Sequence, residues 1–302
     1  MNHDWMLVLK SFHPQFLLLT PACFVLGWAL AVASGGGAEP WRVLWAFIGA
    51  LAAHVSVNGL NEYCDYRSGL DARTRKTPFS GGSGVLQERP DLAFPVLCIS
   101  VLAFGLTLMI GSVFVWEMRS LFLGGAGVFG LFLVAAYTPW LTRNPFFCLI
   151  APGLGFGFLM VGGVAFVLSG QISGATWMGS LITFCVVNNL LLLNQYPDIE
   201  ADRSVGRSHF PLTYGLGRST LAYGLFAGAA FSLLIFSERQ GWFPAWTLLG
   251  SVPFFALPFI LIGSFRFARR TERPVFFLGW NVFVAVGTPP LIALGFWLAS
   301  NV

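Results

Sequence analysis

The chain has 302 residues, of which 56% are hydrophobic and only 10% charged, against about 25% charged in a soluble domain. With a mean hydropathy of +0.73 it cannot cover itself with water-facing side chains, so a bilayer must be its solvent. The net charge of +4 is scattered through short loops, with no basic run interleaved with aromatics, which excludes a nucleic-acid groove.

Nine apolar stretches follow in order, at roughly 15–34, 41–62, 92–113, 119–138, 145–169, 176–197, 218–237, 243–263 and 278–299, each near the ~20 residues that cross a bilayer. Spanning backbone must close its own hydrogen bonds, as helices or barrels do. These stretches far exceed barrel strands of about 9–11 residues, so the expected class is an all-α integral membrane protein. The residues before the first span lack the charged region and cleavage site of a signal peptide, so that span is expected to be retained. Lys and Arg gather in the loops after the second, sixth and eighth spans, with Arg143 alone after the fourth; the alternate loops carry only Arg42, Arg119 and Arg239. The positive-inside rule then places the N-terminus and loops 63–91 and 199–217 in the cytoplasm and the C-terminus outside. Cys23, Cys64, Cys98, Cys148 and Cys185 form no CxxC pair, and are expected to be free thiols.

Asn61-Glu62-Tyr63-Cys64-Asp65 reads N-x-Y-x-D, and so does Asn194-Gln195-Tyr196-Pro197-Asp198, 133 residues later. Pro78 pairs with Pro211, Ser80 with Thr213 and Gly82 with Gly215 at the same offset. The offset carries the second span onto the sixth. An even number of spans makes the halves, about 11–140 and 144–275, parallel repeats within one domain, with both motif loops on one membrane face.

Asn61 and Asp65 are spaced to share a helix face, and Asn194, Asp198 and Asp202 are predicted to stack on one continuous helix. Ser68-Gly69 is predicted to end the first of these helices, leaving Asp71 in the loop. Carboxylates aimed into a membrane protein are costly unless paired with cations. Mg2+ takes one or two carboxylates plus substrate phosphate oxygens, and Arg67, Arg73, Lys76, Arg203 and Arg207 stand near to hold further phosphate charge. Two such clusters beside an apolar interior suit a lipid diphosphate. The metal and basic residues would stabilise the leaving diphosphate as an allylic carbocation forms, and apolar walls would keep water from it. The competing readings are ion pairs with lipid headgroups, a non-catalytic lipid binder, and a secondary transporter. The transporter is disfavoured because the acids lie at one face rather than the midplane. Gly81-Gly82-Ser83-Gly84 lacks the GxxxxGK[ST] pattern and reads as a flexible loop.

These residues resemble the UbiA superfamily of intramembrane prenyltransferases, which have nine transmembrane helices and two Asp-rich motifs, roughly NDxxDxxxD and DxxxD. Here the first is Asn61-Glu62-x-x-Asp65 with its last acid at Asp71, and the second is Asn194-x-x-x-Asp198-x-x-x-Asp202. His13-Pro14 is similar to an Arg-Pro before the first span, and Tyr137-Thr138-Pro139 with Arg143 to the Tyr-containing segment between the fourth and fifth. The resemblance covers essentially the whole chain. The first motif is most similar to the 1,4-dihydroxy-2-naphthoate (menaquinone-type) branch. Gln195 is similar to homogentisate enzymes, and Gly69 stands where 4-hydroxybenzoate enzymes carry an Asp. The resemblance implies Mg2+-dependent transfer of a polyprenyl group from its diphosphate to an aromatic or quinone-precursor acceptor, homogentisate or a lipid being alternatives. It implies metal ligation by Asp65, Asp71, Asp198 and Asp202 with Glu62 supporting, and diphosphate contacts from Asn61, Arg67, Lys76, Arg143, Asn194 and Arg207. Asp65 and Asp198 would be central to catalysis, with Tyr137 facing the reacting carbon.

Overall fold

The computed structural model describes residues 2–36, 39–74, 80–269 and 275–300. After a short helix α1 (Asn2–Lys10) come α2 (Pro14–Ala33) and α3 (Pro40–Ser68), then the four-residue α4 (Val85–Glu88). Next are α5 (Pro90–Met118), α6 (Leu121–Ala136), α7 (Pro145–Ser169) and α8 (Gly174–Asn194). Two short helices, α9 (Ile199–Ser204) and α10 (Phe210–Tyr214), lead to α11 (Leu216–Arg239), α12 (Ala245–Ala268) and α13 (Phe276–Ser300). Eight of these helices are long and apolar enough to cross a membrane. The stretch expected at roughly 119–138 is the shorter apolar helix α6. Its 16 residues reach about 24 Å, less than the ~30 Å hydrocarbon core.

The helix ends follow local chemistry. Pro40 opens α3, where its missing N–H costs nothing, and Gly69 closes it in the left-handed region at φ 73°, as a Schellman-type stop requires. Ser173 and Thr176 form a capping box at the start of α8. Asn144 caps α7 by accepting from the N–H groups of Phe146 and Phe147. Within α7, Pro152 precedes a π-helical stretch, Leu154–Gly162, as expected where a proline removes a ladder hydrogen bond.

The expected continuous helix through Asn194, Asp198 and Asp202 does not form. Helix α8 stops at Asn194, residues 195–198 make a turn, and α9 begins at Ile199. Pro197 is the reason, since it lacks an N–H and disfavours the helical region for Tyr196 before it.

Helix α8 is the most buried span. Two of its buried amides bond across helices: Asn188 Oδ1 accepts from the Gly153 N–H at 2.6 Å, and Asn189 Nδ2 donates to the Tyr223 carbonyl at 2.9 Å. Asn281 of α13 donates to the carbonyls of Asn189 and Leu190. Such bonds, with small residues at close contacts, replace the hydrophobic driving force that lipid removes. Gly157 is such a contact, because a Cβ there would lie 2.5 Å from the Ser180 carbonyl oxygen. The loops after α3, α6 and α8 gather at one end of the bundle. There the Ser208 N–H donates to the Thr142 carbonyl at 2.9 Å, and Arg73 donates to Ser204 Oγ at 3.0 Å.

Candidate active site

Helix α3 presents one face, through Ala46, Ala53, Val57, Asn61 and Asp65, to a cavity of about 1130 Å3. Three- and four-residue steps keep these side chains on one side. Asn61 is held by Nδ2 donating to Thr138 Oγ1 at 3.1 Å. Beyond the Gly69 stop, Asp71 enters the cavity wall beneath Gly82. Gly82 has φ 68°, and a Cβ on it would lie 2.6 Å from the Asp71 carboxyl. Only glycine lets the loop pass this close.

From the second motif, Asn194 at the end of α8, Asp198 in the turn and Asp202 in α9 line the same cavity. The clusters are joined by a residue following α9. Arg207 donates through Nη2 to Asp65 Oδ1 and through Nη1 to Asp202 Oδ1 at 3.0 Å. His209 Nε2 lies 2.9 Å from the other Asp202 oxygen. These side chains are nearly buried, with Arg207 16% and Asp202 3% exposed. Burial at that level is tolerable only when each charge is paired.

Three oxygens at this site remain unsatisfied. Asp71 Oδ2, Asp198 Oδ1 and Asn194 Oδ1 are buried without a hydrogen-bond partner among the described residues. Burial, then the charges of Asp65 and Glu62, pushes the Asp71 carboxyl up to about 7. Burial, then Asp202, pushes Asp198 up to about 8, although Ser80 hydrogen-bonds it. Burial works against the charge on Arg207, but Asp65 and Asp202 outweigh it and hold the guanidinium above its ordinary value. A hard divalent cation would relieve this concentration of oxygen and negative charge. Among the described residues no three His, Cys, Asp or Glu are grouped so that together they could hold a metal ion. Mg2+ needs no such group, since it is ordinarily held by one or two carboxylates plus phosphate and water oxygens.

The other predicted site residues divide. Tyr137 lines the cavity beside Cys148, whose Sγ receives the Gln195 amide at 3.2 Å. Glu62 is turned away. Its carboxylate is 1% exposed and is held by His13 Nε2 at 3.0 Å, by the Ser83 N–H at 3.1 Å and by Ser83 Oγ. One residue past Asn61 is about 100° round the helix, which carries Glu62 off the cavity face. Arg67, in the last turn of α3, and Arg143, in a short helical turn before α7, are exposed and lie outside the cavity wall, and Lys76 lies outside the described residues. The motif tyrosines serve packing: Tyr196 is 2% exposed and its hydroxyl is 3.0 Å from Thr220 Oγ1, while Tyr63 packs against the Val8–Phe12–Val96 cluster. Sequence reading missed His209, whose only signal was its closeness to Asp202. It also missed His54, buried in the wall with Nδ1 2.8 Å from Thr20 Oγ1 and its ring edge-on to Phe156. Away from the acids the wall is apolar, with Ile110, Phe114, Leu133, Phe156 and Phe166.

Residues 20–283 match the family described as the UbiA prenyltransferase family. Two 4-hydroxybenzoate octaprenyltransferases, from Pectobacterium atrosepticum and Pectobacterium carotovorum subsp. carotovorum, are 27% and 28% identical over 224 residues, 74% of this chain and 69% of each relative. The fold is similar to that of a UbiA homolog from Aeropyrum pernix K1, with a TM-score of 0.68 at 16% identity over 92% of this chain and 98% of that one. It is also similar to a UbiA homolog from Archaeoglobus fulgidus bound to DMAPP and Mg2+, with a TM-score of 0.57 at 12% identity over 95% and 99%.

Proposed function

The chain belongs to the UbiA prenyltransferase family, and from that premise we propose that it transfers a polyprenyl group from an allylic polyprenyl diphosphate to an aromatic or quinone-precursor acceptor. The observation that carries the reading is the Arg207 bridge, which joins Asp65 of the first motif to Asp202 of the second at the mouth of one apolar cavity. Asp65, Asp71, Asp198 and Asp202 would hold Mg2+, which when bound neutralises the diphosphate and stabilises it as a leaving group. Arg207 shares its donors between carboxylates and diphosphate oxygens. Asn61 and Asn194 orient these groups, and Arg67, Lys76 and Arg143 add positive charge around the loops. As the allylic carbon ionises, the apolar wall excludes water and Tyr137 stands beside the reacting end of the chain. Glu62 acts indirectly, by fixing His13 and Ser83.

The finer architecture belongs to the same proposal. Helix α6 completes nine spans, the fold is two parallel four-helix repeats plus one within a single domain, and both motif loops with the N-terminus face the cytoplasm, with the C-terminus outside. The first-motif spacing favours a 1,4-dihydroxy-2-naphthoate acceptor; the names of the Pectobacterium relatives favour 4-hydroxybenzoate. Purified protein incubated with prenyl diphosphates and a panel of these acceptors and homogentisate, with and without EDTA, tests the reading by mass spectrometry of prenylated products. A metal-dependent adduct supports it. Failure with every pair, or turnover that persists in EDTA, overturns it.

A further inference from the structure

The cavity does not end near the acids. Its wall follows α3 from Asp65 through Asn61, Val57, Ala53 and Gly49 to Ala46, nineteen residues or about 28 Å of helix. That is close to the full ~30 Å of a hydrocarbon core. At the far end the wall includes Trp116 and Trp177, which are 80% and 50% exposed, so the far end lies at the bundle surface. The volume of about 1130 Å3 exceeds the roughly 300–1,000 Å3 usual for a small-molecule pocket. An extended chain advances about 1.2 Å per backbone bond, judged from the ~3.5 Å reach of a three-bond peptide unit. An isoprene unit, with four such bonds, therefore takes about 5 Å, and the cavity length matches five to six units.

The wall is also marked along its depth. On α7, Cys148 sits at the acid end beside Gln195. Gly155 lies seven residues deeper and Gly163 fifteen, about 10 and 22 Å along the helix. Both glycines line the cavity, and at each a Cβ would meet no atom within 4 Å. These positions are therefore open to the lumen rather than closed by helix packing, in contrast to Gly153 and Gly157 on the same helix, where a Cβ would lie 2.4 and 2.5 Å from α8.

We propose that this enzyme is built for long donors, polyprenyl diphosphates of five or more isoprene units, and that Gly155 and Gly163 keep the passage open at depths of about two and four units. The inference rests on the cavity being a prenyl diphosphate site. The first five or six units are covered by the wall and add affinity, and further units leave past Trp116 into lipid and add none.

The test is binding, which needs no knowledge of the acceptor. Purified protein in lipid nanodiscs with Mg2+ is titrated with prenyl diphosphates of two to ten units, by displacement of labelled geranylgeranyl diphosphate. Affinity of the native protein is expected to rise by about tenfold or more per unit and to level off at five to six. Gly163→Phe moves the plateau to about four units and Gly155→Phe to about two, while short donors bind both variants as they bind the native protein. Gly105→Phe, on an exposed face with open space around it, leaves the profile unchanged. Gly163→Leu and Gly155→Leu give the same order with smaller shifts, and serve where a Phe variant does not fold. Affinity independent of length in the native protein, or the same profile in native and both lumen variants, overturns the proposal while leaving the family reaction standing. Failure of every prenyl diphosphate to bind overturns both.

Discussion

Removing the Arg207 guanidinium by Arg207→Met tests whether the two motifs are electrostatically one site. The side chain lies between Asp65 and Asp202 with 16% of its surface exposed, and its partners are 11% and 3% exposed. Deleting one member of a buried pair typically costs about 3–5 kcal/mol, because a charge is left in a poorly solvated place. Here two carboxylates lose their shared partner, but residual exposure and protonation limit the damage, so about 3 kcal/mol is the working figure. Unfolding entropy of about 2.1 cal/mol/K per residue gives about 0.63 kcal/mol/K for 302 residues, so the expected fall is roughly 5 °C. The assay is thermal unfolding of the purified protein by intrinsic tryptophan fluorescence at neutral pH, once in EDTA and once in excess Mg2+. Because the orphaned carboxylates attract a cation, Mg2+ should restore a larger share of stability in Arg207→Met than it adds to the native protein. A variant that melts with the native protein in EDTA would refute the reasoning, since Arg207 would then not be holding the clusters together.

The remaining predictions concern metal, protons, Glu62 and topology. Asp65→Asn and Asp198→Asn should each lower turnover at least a hundredfold, because a lost metal contact removes several kcal/mol of charge stabilisation; near-native rates in either would remove that residue from the metal site. Asp71 and Asp198 are raised to about 7 and about 8 from 3.8, so their contribution to stability is full below pH ~4 and is lost as pH rises through 7 to 8. The metal-free protein should accordingly melt lower at pH ~8.5 than at pH ~6, and apparent Mg2+ affinity should climb over the same window; a flat profile by calorimetry contradicts this. Glu62→Gln should loosen the contacts to His13 and Ser83 at a cost of about 1–3 kcal/mol and leave Mg2+ affinity within about twofold, outside the 10–100-fold loss expected for a residue that tunes a metal site; a loss in that range makes Glu62 a metal-site residue after all. In a cysteine-free background, Ala72→Cys and Glu200→Cys should label from the same membrane side and Gln171→Cys from the other; opposite labelling of the first pair breaks the parallel-repeat topology.

The amino-acid sequence by itself determined the class of solvent, the helical nature of the chain and the chemistry at one end of it. Apolar runs near 20 residues leave few structures in a bilayer, and local signals such as Gly69, Pro40 and the Ser173–Thr176 box act over a few residues of backbone. The doubled N-x-Y-x-D pattern exposed the acids because charge is conspicuous in a chain only 10% charged. Pro197 was also legible, and its conflict with an unbroken helix through Asp202 could have been resolved from sequence. What only the tertiary structure decided is which partner each charge finds. Asp65 and Arg207 are 142 residues apart, and no periodicity encodes that pairing; it exists because packed helices bring two loops together over one cavity. The same packing turned Glu62 toward His13 and Ser83, left Arg67 and Arg143 in solvent, and opened a passage beside Gly155 and Gly163. Burial and ion pairing depend on the positions of all neighbouring helices at once, whereas helix starts, stops and apolar faces are written into neighbouring residues.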